Sequence, residues 1–597
     1  MIFNYNPLDK TYNNRGGSVK RGLSLCLSIE TDGKECNLII RNDKSEKEVV
    51  YPMQRVEGLF SVTLNNLAVG LYFYHFECDG VLFGRDDYLF ARKFKNKSDL
   101  QNYQLTVYKT SFKTPNWIKG GVIYQIFPDR FNKSLNATVK EKEIMRVWGE
   151  EPFWKPNADG KILNDDFFGG NFKGIEEKLD YLKSLGVTAI YLNPVSKSYS
   201  NHRYDTSDYL RFDELLGTDE EFLSLVNVAK ERGIRVIFDG VYNHTGDDSI
   251  YFNKYGKYEQ LGAYQSEKSK YYDWYVFQKF PNLYTSWWGI NVLPTINKNS
   301  KSFEDFVVNK VLNRYFDFGV LGVRLDVVDE LPSKFVKKIR KSVKKNNPDA
   351  IVIGEVWEDA SNKIAYSRRC EYFWGDELDS VMNYPLKNSL INFLLTGNVK
   401  ELTKTVIEQI HNYPPCVLSV LMNILGTHDT PRILSVLSGA KIPDDRETLS
   451  TFTLGESERE LAVMRLKQAL VFIFTIYGVP SVYYGDELGF EGGKDPFNRR
   501  CMTFEGGNEE ILSLVKKLSA IRSSNPVFID GKTEIITAKD GVFAFSRKKG
   551  KEEVIVIINA GNYRFTVNAE NCVELLTGET RSEYSIDKNS YLILKRR

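Results

Sequence analysis

Beginning near residue 118, the chain contains eight short apolar runs, and most neighbouring runs are separated by a stretch with helical periodicity. This alternation predicts parallel strands joined by crossover helices. Eight such units over roughly 400 residues fit an α/β fold of the (β/α)8 TIM-barrel class with insertions. The runs are GVIYQIF, VTAIYLNPV, RVIFDGVYN, VLGVRLDVV, AIVIGEVW, DSVMNYPL, LMNILGTHD and IYGVPSVYYGDE.

Other patterns flank and interrupt this repeat. The first residues contain short β-prone runs separated by Gly, Asp and Asn, and alternating strands return after about Phe528. The largest interruption follows the third strand, lacks long apolar periodicity and is rich in Tyr and Trp. The predicted layout is an N-terminal β-sandwich over 1–95, a linker over 96–117, barrel parts over 118–243 and 301–526, an inserted domain over 244–300 and a C-terminal β-sandwich over 527–597.

Composition argues against several classes of protein. Lys and Arg number 80 against 78 Asp and Glu, a balance that does not favour nucleic-acid binding. The longest nearly apolar run, 469–484, contains Pro480 and is shorter than the ~20 residues of a membrane span. The first residues show no secretory signal, which predicts a cytoplasmic protein, although a secreted chain without its leader would look the same. Seven Cys without a C-x-x-C spacing predict unpaired thiols in a reducing compartment.

Acidic residues recur where the predicted strands end. Asp326, Glu355 and Asp429 follow the fourth, fifth and seventh apolar runs. Barrel enzymes place their chemistry at this end of the strands. Any one of these carboxylates could simply cap a helix or pair with a cation. Three at one rim, accompanied by three of the five His in the chain, favour a catalytic site.

Converging carboxylates without a cofactor motif suit the cleavage of a glycosidic bond. The sequence has neither a nucleophile elbow with Ser, His and Asp nor a phosphate-binding Gly loop. Glycosidic cleavage needs one carboxylic acid to protonate the leaving oxygen and one carboxylate at the anomeric carbon. Arg324 would hold Asp326 ionised, and neighbouring carboxylates would favour a protonated Glu355. His244 and His428 can hydrogen-bond sugar hydroxyls.

Four segments resemble, in order and placement, the signature regions of the α-amylase family of retaining glycoside hydrolases. They are DGVYNH at 239–244, GVRLD at 322–326, EVW at 355–357 and THD at 427–429. The likeness covers about 120–510 and implies the same barrel fold. It also implies that Asp326 is the nucleophile, that Glu355 is the general acid/base, and that Asp429 binds and distorts the sugar at subsite −1.

Further segments are similar to the cyclomaltodextrinase, neopullulanase and maltogenic amylase branch of that family. They are LNPVSKSYSNHRYDTSDY at 192–209, SWWGINVLPTIN at 286–297 and YYGDELGFEGGKDPFNRR at 483–500. The N-terminal region matches the position of that branch's starch-binding-type domain, and relatives with this domain are often dimers. The resemblance implies substrate contacts from His202, Tyr204, Asn243, His244, Arg324, Glu330, Trp357, His428, Asp495 and Arg499. Trp287 and Trp288 fit either loop packing or substrate contact.

Some segments depart from the family pattern. LPTIN replaces a commoner Met-Pro-Lys-Leu-Asn, and Val-Val-Asp-Glu follows the nucleophile position. Glu330 keeps its usual place there but Asp329 does not match, so the resemblance leaves the acceptor preference open. The loop after the first strand lacks the dense Asn and Asp run that binds calcium in many relatives. The sequence therefore predicts no required cofactor and does not support calcium in that loop.

The sequence predicts an enzyme that hydrolyses α-1,4-glucosidic bonds in maltooligosaccharides, cyclodextrins, pullulan or starch fragments. Transglycosylation follows when a sugar instead of water takes the covalent intermediate. An α-1,6-debranching enzyme on the same scaffold is the alternative, because linkage choice depends on loops outside the motifs. A non-catalytic glucan-binding protein is a third reading, although such chains usually lose a catalytic carboxylate. The predicted partner is an α-glucan and, as a homodimer, a second copy of the chain, with neither nucleic acid nor membrane.

Overall fold

The computed structural model describes residues 2–158 and 160–597. The N-terminal part forms two packed sheets, and inward side chains such as Leu27, Leu38 and Tyr74 are fully buried between them. Its strands are Phe3–Asn4, Ser18–Lys20, Leu25–Thr31, Cys36–Asn42, Glu48–Pro52, Gln54–Val56, Leu59–Leu64, Gly70–Cys78, Val81–Arg85, Ala91–Phe94 and Tyr103–Tyr108.

Two features of this region differ from the expectations drawn from the sequence. The segment 96–117, predicted as a linker, contains the strand Tyr103–Tyr108, whose side chains are all buried. It pairs with Gly70–Cys78 and with Ser18–Lys20 and so belongs to the sheet. Cys36 and Cys78 lie opposite each other on paired strands and form a disulfide. The prediction of unpaired thiols is wrong for these two residues, because only strand pairing brings them together.

The middle of the chain forms the predicted parallel barrel. Hydrogen bonding links the strands in chain order, with the first strand also paired to the eighth. A parallel bridge between Met382 and Met422 joins the sixth and seventh strands and closes the barrel. From first to eighth, the strands are Ile123–Ile126, Ala189–Leu192, Arg235–Gly240, Gly322–Leu325, Ile351–Gly354, Ser380–Val381, Met422–Ile424 and Val479–Tyr483.

Helices cover the outside of the barrel. Asp219–Glu231 illustrates why they form: Thr218 and Glu221 make a capping box at its start, and Phe222 and Leu225 lie on its buried face. No helix in the described part of the chain has both the length and the apolar composition needed to cross a membrane. The α-helices are Pro128–Phe131, Phe172–Glu177, Leu179–Ser184, Asp219–Glu231, Lys301–Phe306, Leu312–Asp317, Ser333–Asn346, Tyr384–Thr396, Lys400–Asn412, Pro415–Leu418, Ile433–Leu437, Arg446–Ser450, Glu456–Thr475, Glu509–Ser524 and Val527–Asp530.

The segment after the third strand has little regular structure and is held together by aromatic packing. Two hairpin strands, Phe277–Lys279 and Leu283–Tyr284, and a 3₁₀ turn at Trp287–Gly289 are among its few elements. Trp274 is buried among rings that include Tyr251. A bridge between His244 and Thr295 fixes the segment beside the barrel mouth.

The C-terminal part forms a five-stranded and a two-stranded antiparallel sheet. Gln468, in the helix Glu456–Thr475, attaches the larger sheet to the barrel by donating to the carbonyl oxygens of Asn559 at 2.8 Å and Ser590 at 3.1 Å. The strands are Lys532–Lys539, Val542–Lys549, Glu552–Asn559, Phe565–Asn568, Cys572–Glu574, Glu583–Ile586 and Ser590–Arg596. The predicted class, a (β/α)8 barrel flanked by N- and C-terminal sheet domains, is confirmed.

Candidate active site

The carboxyl ends of the barrel strands and their following loops surround a cavity of about 760 Å³. Asn243 and Arg324 do not line it, but each contacts a residue that does. The other residues predicted from the sequence all line it: His202, Tyr204, His244, Asp326, Glu330, Glu355, Trp357, His428, Asp429, Asp495 and Arg499. The structure therefore brings the predicted residues together.

Arg324 lies below the cavity and binds three carboxylates. It is only 1% exposed, and its place two residues before Asp326 on a strand points both side chains the same way. Nη1 donates to Asp326 Oδ1 at 2.9 Å and to Asp239 Oδ1 at 2.8 Å. Nη2 lies 2.8 Å from Glu355 Oε2. One guanidinium group thus joins acids from the third, fourth and fifth strands.

Burial controls the protonation of these acids. It raises the pKa of Asp326 well above the usual value, and Arg324 opposes this rise without cancelling it. The neighbouring carboxylates, among them Glu355 and Asp429, raise the pKa of Asp326 further. The sequence suggested that Arg324 would keep Asp326 ionised, but the desolvation of its site is the larger effect. Burial also raises the pKa of Asp429 to about 7, with Glu355 adding to the rise. Burial thus disfavours the charged form of both Asp326 and Asp429.

Glu355 follows the fifth strand and is held by two further donors. The backbone N–H of Val327 donates to Oε2 at 2.8 Å, and Trp357 Nε1 donates to Oε1 at 3.1 Å. Val327 adopts a left-handed conformation with φ of 37°, which is strained for a β-branched residue. The Trp357 ring stacks on Tyr384 at 3.8 Å between centroids, so its indole N–H keeps one direction.

Asp429 also lines the cavity, beside a ring and a cation. His428 Nε2 lies 3.1 Å from Asp429 Oδ2, and Arg499 Nη2 lies 3.8 Å from Oδ1. Arg499 Nη1 also binds Asp495 Oδ1 at 2.8 Å. Burial lowers the pKa of His428 well below its usual value, with Arg499 adding to the effect, so the ring is neutral and Nε2 donates to Asp429.

Tyr204 and His202 also form part of the cavity wall. The Tyr204 hydroxyl donates to Asp239 Oδ2 at 2.7 Å, and its ring is parallel to that of His428, with centroids 5.1 Å apart. His202 Nδ1 accepts the Tyr204 backbone N–H at 3.1 Å, which leaves Nε2 as the donor. Burial lowers the pKa of His202 to about 3, with Arg499 adding to the effect, so this ring is also neutral.

His244 and Asn243 end the third strand. His244 Nε2 lies 3.1 Å from the Tyr204 carbonyl oxygen, and the His244 ring stacks on Trp287 with centroids 4.9 Å apart. Burial lowers the pKa of His244 to about 3. Asn243 is fully buried, and Lys298 Nζ donates to its Oδ1. Asn243 therefore acts on the cavity through its neighbours, not by direct exposure to it.

Sequence reasoning missed residues of two kinds. Gln125 and Asn193 are buried at the ends of the first and second strands and bind His428 Nδ1 at 3.0 and 3.2 Å. Their position after apolar runs was the available signal. The second kind stands on loops around the cavity mouth and follows no motif. It comprises Asn164, Glu358, Lys363, Ile364, Ala365 and Tyr366.

The donor set of the cavity bears on metal binding. Among residues 2–158 and 160–597, no group of three or more His, Cys, Asp and Glu side chains is arranged to hold a metal ion. The acids at the cavity floor are instead bound by Arg324. The absence of a required cofactor stays a prediction.

Comparison with known proteins identifies the domain. Residues 125–527 match the family model described as the catalytic domain of alpha amylase. An amylopullulanase of Thermoanaerobacter thermohydrosulfuricus is 36% identical over 92% of this chain. A cyclomaltodextrinase of Thermoanaerobacter pseudethanolicus is 35% identical over 76% of this chain and 72% of its own length. The type III pullulan hydrolase of Thermococcus kodakarensis has a similar structure, with a TM-score of 0.70 and 27% identity over 100% of both chains.

The length of the match differs among these relatives. The aligned part spans 41% of the amylopullulanase of Thermoanaerobacter thermohydrosulfuricus and 48% of that of Thermoanaerobacterium saccharolyticum. The chain therefore spans less than half of these curated relatives.

Proposed function

Because the chain belongs to the α-amylase family, we propose that it is a retaining glycoside hydrolase that cleaves α-1,4-glucosidic bonds. Its proposed substrates are maltooligosaccharides, cyclodextrins, pullulan and starch fragments. The observation that carries the proposal is the binding of Asp326 and Glu355 to one buried guanidinium group beside an open cavity. Double displacement requires two carboxyl groups that face the same sugar ring.

The proposed reaction has two steps. Asp326 is the nucleophile in the first and the leaving group in the second, while Glu355 is first an acid and then a base. Asp326 attacks the anomeric carbon while Glu355 protonates the departing glycosidic oxygen, which leaves a glycosyl ester on Asp326. Glu355 then takes a proton from water as the water oxygen attacks the same carbon and releases Asp326. Arg324 stabilises the carboxylate of Asp326 as a leaving group and orients Glu355 through Nη2.

The other cavity residues fit positions along a glucan chain. Asp429, His428 and His202 would hold hydroxyls of the sugar at subsite −1, and Tyr204 would stack beneath it. The ion pair of Asp495 and Arg499 would contact the next sugar at subsite −2. On the opposite side, the substrate-binding roles of Glu330 and Trp357 would belong to the leaving group, because Trp357 donates to the acid that protonates it.

An α-1,6-debranching activity is the second candidate. It is favoured by the name of the amylopullulanase relatives and by a solved structure named as cyclic alpha-maltosyl-(1→6)-maltose hydrolase of Arthrobacter globiformis. That structure has a TM-score of 0.68 and 26% identity over 81% of this chain. We give the α-1,4 activity precedence because the cyclomaltodextrinase relative is covered over 72% of its length.

The remaining features of the proposal concern partners and location. An α-glucan is the proposed ligand, and the net charge of +2 gives no attraction for nucleic acid. Binding to membranes is likewise not part of the proposal. We propose that catalysis needs no metal ion, that the enzyme acts in the cytoplasm, and that the chain can form a homodimer.

Pullulan digestion tests the function. We expect panose from α-1,4 cleavage, whereas maltotriose would indicate the debranching alternative. Proton NMR at early times should show the α-anomer first, and release of the β-anomer would contradict a retaining mechanism. Failure of pullulan, cyclodextrin and maltooligosaccharides to react, together with retained glucan binding, would support the non-catalytic reading.

A further inference from the structure

A short hairpin follows the fifth barrel strand and reaches the cavity mouth. Its strands are Ile364–Ala365 and Arg368–Arg369, and its tip is formed by Tyr366 and Ser367. Both tip residues have positive φ, 49° and 60°. A two-residue turn of this kind normally uses Asn or Gly, because side chains crowd the left-handed region. Contacts outside the hairpin must therefore maintain this conformation.

The tip of the hairpin forms part of the cavity wall. Lys363, Ile364, Ala365 and Tyr366 all line the cavity. Tyr366 is 74% exposed, yet its hydroxyl donates to Glu330 Oε1 and so fixes the ring at the mouth. Lys363 binds Asp329 at 3.2 Å, which joins the base of the tip to the turn after Asp326. An exposed, fixed aromatic face is suited to the apolar face of a sugar ring.

The base of the hairpin is bound by the N-terminal domain. Arg369 Nε and Nη2 bind the two carboxylate oxygens of Asp43 at 2.8 and 2.9 Å. Just before the hairpin, Gln104 donates to Ser361 Oγ at 3.0 Å and accepts from Asn362 Nδ2 at 2.8 Å. The Asp43–Arg369 pair is mostly shielded from water and bidentate, which makes it more directional than a surface ion pair. The position of the hairpin thus depends on a domain that lies outside the barrel.

The hairpin stands on the leaving-group side of the cavity. It belongs to the same loop as Glu355 and Trp357, and its tip contacts Glu330. The ion pair of Asp495 and Arg499, to which the proposed function assigns the sugar at subsite −2, instead lies beside Asp429. A sugar seated against Tyr366 would therefore be the one that leaves in the first step or attacks in the second.

We propose that Tyr366 is a specificity-determining residue for acceptor sugars and that the N-terminal domain positions it through Asp43 and Arg369. This inference rests on the proposed function. In the second step, a sugar hydroxyl replaces water: its oxygen bonds to the anomeric carbon, its proton passes to Glu355, and the ester bond to Asp326 breaks. Binding of a sugar against Tyr366 raises the local concentration of that sugar near the ester, and this increases transfer relative to hydrolysis.

The test is the ratio of transfer to hydrolysis, measured with maltotriose as donor and glucose as added acceptor. We expect Tyr366→Ala to lower this ratio about fivefold, the effect of one lost ring contact. Tyr366→Phe loses only the contact with Glu330, and Asp43→Asn weakens only the ion pair with Arg369 that positions the hairpin. Both should lower the ratio by about twofold. A rise in the apparent KM for glucose as acceptor should accompany each change.

Glu48→Gln is the matched control, because it breaks a surface ion pair with Lys97 in the same N-terminal domain. It should leave the ratio at the wild-type value. An unchanged ratio in Tyr366→Ala would overturn the role of Tyr366. Asp43→Asn with the wild-type ratio would overturn the role of the N-terminal domain. Arg369→Lys keeps the charge but loses the bidentate geometry, so it should lower the ratio in the same way as Asp43→Asn.

The proposed function can fail separately from this inference. A wild-type protein that cleaves maltotriose but forms no transfer product at any glucose concentration would overturn the inference and leave the hydrolase intact. A protein that does not cleave maltotriose or larger glucans would overturn the proposed function. Thermal unfolding of each variant shows whether a lower ratio accompanies a folded chain.

Discussion

Two parts of the cavity wall differ in burial, in charge and in the elements that carry them. The floor is buried and held by ion pairs between strand ends, whereas the rim is largely exposed and stands on loops. The floor is defined as Asp239, Arg324, Asp326 and Glu355. The rim is defined as Trp288, Glu330, Trp357, Lys363 and Tyr366.

The barrel geometry fixes the positions of the floor residues, whereas the rim residues stand on loops whose sequence can vary. The floor residues occupy fixed positions because parallel strands bring their carboxyl ends to one place. A change there leaves a buried charge without its partner, at a cost of about 3–5 kcal/mol. The most exposed rim residues, Trp288 and Tyr366, lie at the surface, where changes usually alter stability by about 0.5 kcal/mol or less. We therefore expect the rim, not the floor, to set the preference among glucans.

The largest predicted effect falls on the floor. Asp326→Asn removes the nucleophile but keeps the size of the side chain, so kcat/KM for maltotriose should fall about 10⁴-fold or more. Azide should restore part of the rate of Asp326→Ala, whose smaller side chain leaves room for the anion, with an activated donor such as α-maltosyl fluoride, and the product should have the opposite anomeric configuration.

Asp329→Asn is the matched control, three residues along the same turn. Asp329 binds Lys363 and Tyr372 and makes no contact with Arg324 in the described structure. Its loss should lower kcat/KM by less than about tenfold. If both variants lost activity equally, the special role of the floor relative to its neighbours in the cavity wall would not hold.

The floor could be predicted from the sequence, whereas most of the rim could not. Asp326, Glu355 and Asp429 follow apolar strands within recognisable segments, and the regular geometry of the barrel then places them together. Tyr366 has no such signal, because its position depends on a two-residue turn and on Asp43, 323 residues earlier in the chain. Long-range contacts of this kind are invisible to local patterns.

The same limit explains the errors outside the cavity. The strand Tyr103–Tyr108 lies in a polar sequence context and is recognisable as a strand only through its pairing with Gly70–Cys78. The disulfide between Cys36 and Cys78 likewise depends on strand register. The raised pKa of Asp326 has a related origin, since the depth of its burial cannot be read from the neighbouring Arg324.

The second prediction concerns pH and uses the interaction between Asp326, at the floor, and the nearby Asp429. Burial raises the pKa of Asp326, and the attack requires its deprotonated form, so kcat/KM should fall as the pH drops through that raised pKa. Asp429 contributes to the rise. Asp429→Asn removes this contribution and should move the acid limb of the profile to lower pH, even though the maximum rate falls.

The pH profile also separates residues that interact with the floor acids from residues of the rim. Trp288→Ala removes no charge and should leave the acid limb where it is in the wild-type enzyme. The profiles would be measured as kcat/KM with 4-nitrophenyl α-maltoside. A shift of the limb to higher pH in Asp429→Asn would contradict the sign of the interaction, and an equal shift in Trp288→Ala would remove the distinction.

The smallest predicted effect lies at the rim, where two tryptophans of the inserted segment can be compared directly. Trp288 is 83% exposed and lines the cavity, whereas Trp274 is 3% exposed, packs against Phe303 and donates from Nε1 to Ser302 Oγ at 2.9 Å. Trp274→Ala should lower the free energy of unfolding by about 3–5 kcal/mol. Trp288→Ala should change it by less than about 0.5 kcal/mol and raise the KM for maltotriose about threefold, because only a sugar contact is lost. Urea unfolding and steady-state kinetics measure both, and an equal loss of stability in the two variants would mean that the rim is a structural layer and not an adjustable binding surface.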